Sequence, residues 1–124
     1  MAAGISRYAS LLDGLKRRAL ADPVFRSMVE RDLVDGQHRN PDVSGRPELF
    51  TTAYFHHPAE LEHEARSSGL CNVQLYAVEG PAWLVEAVDD LESQLFVARA
   101  VEVEPALMAA SSHVLVAGTT PLST

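Results

Sequence analysis

The chain has 124 residues, 47% hydrophobic and 22% charged, a balance that suits one soluble globular domain and excludes a disordered or collagen-like chain. Seventeen acidic against ten basic residues give a net charge of −7, and the longest basic run is Lys16-Arg17-Arg18, so clustered phosphate contacts and a nucleic-acid partner are excluded. Cys71 stands alone, which leaves no internal disulfide or cysteine-based metal site, and no apolar stretch approaches the roughly 20 residues of a membrane span, so the expectation is a cytoplasmic protein with no membrane partner.

Ile5, Tyr8, Leu11, Leu12 and Leu15 recur at helical spacing after Ser6, an N-cap candidate, and predict an amphipathic helix over 7–19. Asp22-Pro23 pairs a capping side chain with a proline in the first helical position. Phe25, Met28, Val29 and Leu33 make the buried stripe of this second helix, which Gly36 stops. Residues 37–50 carry Pro41, Gly45 and Pro47 among polar side chains and read as a loop, long enough to imply a role. His57-Pro58 opens a third helix that runs through Leu61 and Ala65 to Gly69, with Glu60, Glu62 and Glu64 on a solvated face.

Residues 71–78 alternate, with Val73, Leu75 and Ala77 on one face and Gln74, Tyr76 and Val78 on the other, as a half-buried strand that Glu79-Gly80-Pro81 ends. Trp83, Leu84, Val85 and Val88 suggest a short helix, with Trp83 as a core anchor. Leu91, Leu95, Phe96, Ala98 and Val101 continue into a longer helix that stops before Pro105, and a helical turn follows at Leu107 and Met108. His113 to Ala117 is apolar and β-branched and predicts a closing strand with Gly118 as its breaker, ahead of a polar tail at 119–124. Two strands joined across helices do not stand alone in water, so the pattern calls for a larger sheet or a partner chain, with a homo-oligomer as one solution.

The order helix, strand, helical excursion and final strand, with Met1-Ala2-Ala3-Gly4-Ile5 running straight into the first helix, resembles the C-terminal part of a class I S-adenosylmethionine-dependent methyltransferase. Four runs are similar to segments of a bacterial small-molecule subgroup of that family: Ile5 to Leu15, Asp35 to Asn40, Thr51 to His56 with Pro58, and Val78 to Pro81 with Trp83. His56-His57-Pro58 stands where the subgroup carries His-Arg-Pro. The resemblance implies an α/β class, a partial Rossmann-like methyltransferase fold over residues 1–118. It would consist of helices, a lid loop and the last two strands in antiparallel, hairpin-like arrangement, completed by self-association. Met1–Ile5 would be the stump of the fifth sheet strand.

The same resemblance implies S-adenosylmethionine as the cofactor of a complete enzyme and a small-molecule acceptor as its partner. The family holds that cofactor with a glycine-rich turn after its first strand. Gly4, Gly14 and Gly36 are scattered with no strand-turn-helix context, so this segment alone is expected to bind the cofactor poorly and to be inactive. A truncated gene product and a small non-catalytic interaction or dimerisation protein are the alternatives.

By resemblance, the region after the fifth strand and the lid loop face the acceptor, which makes Arg7, Tyr8, His38, Arg39, Tyr54 and His56 the candidate substrate-lining residues. Each also has a plainer reading: Arg7 solvated at a helix start, Tyr8 and Tyr54 in the core, His38 with Asn40 tying the loop to itself. The spacing of His56, His57 and His63 does not bring their rings together, so no metal site is expected. Ser6, Ser10 and Cys71 show no nucleophile pattern, and methyl transfer needs none: the sulfonium carbon is already electrophilic, and alignment with desolvation of the acceptor does most of the work. No catalytic residue is assigned. Residues 37–56 are expected to close over the acceptor, with Tyr54 and His38 mattering more for turnover than for folding.

Overall fold

A computed structural model describes residues 1–41, 45–85 and 90–122. Strands β1 (Ala2–Ser6), β2 (Gln37–His38), β3 (Ala53–His56), β4 (Cys71–Ala77) and β5 (His113–Thr119) form one open mixed sheet in the order β2-β3-β1-β5-β4. β1 and β3 run parallel, and the other neighbours are antiparallel. The helices are α1 (Ala9–Lys16), α2 (Pro23–Asp35), α3 (Pro58–Ser67), α4 (Leu91–Ala100) and α5 (Pro105–Met108), with single 3₁₀ turns at Ala19–Ala21, Pro47–Leu49 and Gly80–Leu84. The protein is therefore an α/β structure. None of its described helices is long and apolar enough to cross a membrane.

The punctuation of α2 and α3 follows their sequence signals. The Asp22 carboxylate accepts the Val24 amide at 2.9 Å ahead of Pro23, and Gly36 ends α2 in the left-handed region at φ 74°. His57 caps α3, and Glu60 reaches back to the His57 amide, a capping box with Pro58 at the first position. α1 is shorter than the 7–19 expectation. It starts at Ala9 because Tyr8 takes the capping position, and it stops at Lys16 because Arg18 turns left-handed at φ 59°.

β4 alternates as expected: Val73, Leu75 and Ala77 face Leu61 and Ala65 of α3, Met108 of α5 and Val114 and Val116 of β5 in the larger core. The pairing partner that β4 and β5 require is this chain's own β1, joined to β5 from Ala2↔Val116 to Ile5↔His113. Gly118 does not break β5. A side chain there would press on the Cys71 carbonyl oxygen at 3.0 Å, so its absence lets the entry to β4 lie close alongside. β5 therefore takes in Thr119 from the expected tail, while Ser123 and Thr124 lie outside the described residues.

The second core holds Phe25, Met28, Val29 and Leu49 against Leu11 of α1. Leu33, expected in this stripe, is 38% exposed, and Asp32 is fully buried instead. Asp32 sits seven residues after Phe25, on the same face two turns along, whereas Leu33 is rotated a further step away. Within the expected 37–50 loop the chain forms β2 and the Pro47–Leu49 turn. Of the short helix expected around Trp83 to Val88, the described part is the 3₁₀ turn through Leu84, and Val88 lies outside the described residues. Trp83 is a half-buried anchor whose indole N–H donates to the Ala110 carbonyl at 2.8 Å. α4 buries Ala98 but leaves Leu91 at 67% and Phe96 at 75% exposure.

Candidate functional site

Parallel β1 and β3 end side by side, with Ile5 opposite Phe55 and Ser6 opposite His56. Their carboxyl ends therefore deliver Arg7, Tyr8, Tyr54 and His56 to one edge, next to the start of α3. Arg7 organises this edge. Its Nε donates to the Phe55 carbonyl at 2.8 Å, and its Nη2 donates to Glu60 at 2.5 Å and to the Tyr54 hydroxyl at 3.2 Å. The Tyr54 hydroxyl donates in turn to the second Glu60 oxygen at 2.8 Å, closing a ring of three side chains.

Gly36 makes this approach possible. A Cβ there would meet Arg7 Nε at 2.8 Å and collide with the Phe55 carbonyl oxygen, so the end of α2 has to be a glycine. His56 lies edge-on to Tyr54 at 4.8 Å between ring centroids and places Nε2 3.1 Å from Glu64. Its Nδ1 is buried with no hydrogen-bond partner, beside the backbone of Gly4. Tyr8 meets the exposed His57 ring edge-on at 6.2 Å.

The electrostatics make the ring of Arg7, Tyr54 and Glu60 a fixed frame. The His57 amide, aided by the Tyr54 hydroxyl and Arg7, holds the Glu60 carboxyl below its usual range against a smaller opposing effect of burial. Its contribution is thus present above the ordinary carboxylate value and lost only as pH falls through the lower folded value. The hydrogen bond to Glu60 raises the Tyr54 phenol, which stays protonated as a donor and does not serve as a base. In this cluster both His56 nitrogens are turned inward, Nε2 to Glu64 and Nδ1 to Gly4, so its ring serves as a wall beside Tyr54.

Of the candidate substrate-lining residues, the structure brings Arg7, Tyr8, Tyr54 and His56 together and separates His38 and Arg39 from them. His38, expected on the acceptor side of the loop, is fully buried, with Nδ1 2.7 Å from Asp32 and Nε2 2.9 Å from the Leu49 carbonyl. Asn40 donates to the carbonyls of Arg46 and Phe50, so the two residues tie the loop to itself. Arg39 is exposed, donates to Gln37, and borders a separate groove with Pro23, Met28 and Pro41.

Glu60 and Glu64 keep the solvated face expected of them and also pair with Arg7 and His56, while Glu62 pairs with Arg66. The signal for Glu60 was the His57-x-x-Glu60 spacing of a capping box, and Glu64 follows one turn later on the same face. No group of His, Cys, Asp and Glu able to hold a metal ion occurs among the described residues. No family model, curated protein or solved structure matches the chain.

Proposed function

We propose that this chain is the C-terminal, substrate-facing part of an S-adenosylmethionine-dependent methyltransferase acting on a small-molecule acceptor. The observation that carries this reading is the delivery of Arg7, Tyr54 and His56 to the carboxyl ends of the parallel pair β1 and β3. Open α/β sheets bind ligands beyond those ends. The antiparallel pair β4 and β5 beside β1 is the arrangement that the resemblance implies for the last strands of such an enzyme.

In this role the Arg7–Glu60–Tyr54 frame orients the exposed face of Tyr54. His56, edge-on to Tyr54 and tied to Glu64, walls the other side of that face. Alignment and exclusion of water suffice with no nucleophile from the protein: the acceptor's own lone pair would attack the methyl carbon as its bond to sulfur breaks and the donor leaves as a neutral thioether. Held by the cofactor half of a complete enzyme, S-adenosylmethionine supplies the electrophilic methyl group.

The test has two arms. Calorimetry of the isolated chain with S-adenosylmethionine should give no stoichiometric heat, since the glycine-rich amide cradle is not in its sequence. A micromolar site would overturn the division of labour. In an enzyme that joins this segment to a cofactor-binding half, Tyr54→Ala should lower kcat/KM by about tenfold or more, the scale of a misaligned acceptor, while the circular-dichroism spectrum keeps its folded form. Unchanged constants would remove the reading.

The exposed Leu91, Leu95 and Phe96 of α4 favour a second reading, a non-catalytic interaction or dimerisation protein. It predicts concentration-dependent association by light scattering that Leu91→Ser with Phe96→Ser abolishes. A wild-type monomer across a wide concentration range, with no hydrophobic-dye binding, would contradict it.

A further inference from the structure

We propose that His38 is a protonation-dependent clasp that fastens the strained Pro47–Phe50 turn to α2 and lets it go as pH rises. The geometry points to this independently of any catalytic role. Both ring nitrogens face acceptors, an Asp32 carboxylate oxygen at 2.7 Å and the Leu49 carbonyl at 2.9 Å. An imidazole makes both bonds only as the doubly protonated cation. A neutral ring keeps one N–H, which stays on the carboxylate, and then turns a lone pair towards the Leu49 oxygen.

The segment fastened in this way carries strain. Phe50 has φ 67° and ψ −173°, a region that is essentially reserved for glycine and persists only where neighbours impose it. Its neighbours are the same clasp: the Phe50 ring meets His38 edge-on at 5.8 Å, Asn40 donates to its carbonyl at 2.8 Å, and the preceding carbonyl is the one His38 holds. Loss of one bond at Leu49 therefore removes a restraint at the place where the backbone is least at ease.

The groups around the ring come from each element packed on it. α2 presents Asp32, whose same oxygen accepts the Ser10 hydroxyl of α1 at 2.7 Å. β3 presents the Phe55 ring, stacked at 5.0 Å. The turn presents Leu49 and Phe50, and behind Phe50 lies the Arg17 guanidinium, itself paired with Asp13. Burial pulls the His38 pKa down, but the bonds to Asp32 and to the Leu49 carbonyl outweigh it and the net direction is up. With the folded value raised, the clasp is complete below the ordinary imidazole range and is lost as pH rises through the folded value.

The test is an NMR titration of the intact wild-type chain from about pH 5 to about pH 9, bracketing the range in which imidazoles change charge. It follows the imidazole nitrogens together with the Leu49 carbonyl and Phe50 amide signals. The expected result is a doubly protonated His38 at the acid end and a midpoint above the ordinary imidazole value, with the Leu49 and Phe50 signals moving at that same midpoint. Asp32→Asn should lower the His38 midpoint by about one pH unit or more, a tenfold change in proton affinity. A ring that keeps one protonation state throughout, or a titration to which Leu49 and Phe50 do not respond, would overturn the clasp. So would wholesale loss of the dispersed spectrum at the His38 midpoint, because release would then be global and not confined to the turn.

Discussion

His38→Ala is expected to cost about 3–5 kcal/mol of folding stability, the scale for removing one partner from a buried ionic pair. Asp32 and His38 are both fully buried, and one Asp32 oxygen already lacks a hydrogen-bond partner. Without the imidazole, the other oxygen keeps only the Ser10 hydroxyl. Neutralising His38 is milder than deleting it, because the neutral ring still donates to the carboxylate. Urea denaturation at about pH 6, near the ordinary imidazole value, reads the loss where the pair is complete. A loss below about 1 kcal/mol, the scale of an ordinary hydrogen bond, would show that the pair carries no buried charge. The buried pair thereby gives His38 a folding role beside the role in turnover expected from the sequence.

Gly36→Ala is expected to be comparably severe, about 3 kcal/mol or more, because a disfavoured backbone conformation and a collision coincide. The residue holds φ +74°, and its new methyl would strike the Phe55 carbonyl oxygen while sitting 2.8 Å from Arg7 Nε. The Phe55 amide also donates to the Gly36 carbonyl at 2.7 Å, so movement of residue 36 pulls on β3 and on the whole Arg7 frame. Gly69→Ala is the control. It has φ +97° but open space around it, so it should show only the left-handed penalty of about 1–2 kcal/mol. Thermal melts of the two variants decide the point: equal losses would mean that the contact with Phe55 and Arg7 is unimportant.

Helix punctuation and the alternation of β4 were legible because they depend on neighbours in sequence: Asp22-Pro23, Gly36, His57-Pro58 and the Val73, Leu75, Ala77 face are local chemistry. The short strands β2 and β3 were not. β2 is a two-residue strand inside a polar loop, and β3 gains its partners from β1, some fifty residues away in the chain, so neither carries a periodicity that a short window can register. Asp32 was hidden for a related reason. A carboxylate in a helical stripe reads as an interruption until Ser10 and His38 are seen to satisfy it.

The candidate site divides along the same line. Arg7, Tyr8, Tyr54 and His56 were named from resemblance, and the sheet gathers them. Glu60 and Glu64 entered the site from a helix whose acidic residues looked uniformly solvated. Glu60 and Glu64 share one face of α3 while Glu62 points away, and sequence spacing without the position of Arg7 does not say which face is occupied.

The claim that the β1 and β3 carboxyl ends face an acceptor is tested most directly by NMR mapping on the intact chain. Small phenols and amines, the nucleophiles a methyl donor meets, serve as probes. The account predicts saturable shifts concentrated on Arg7, Tyr54 and His56, weakened in Tyr54→Ala and unaffected by Arg39→Ala. Shifts centred instead on the groove around Pro23, Arg39 and Pro41, or probe binding indifferent to Tyr54→Ala, would contradict it.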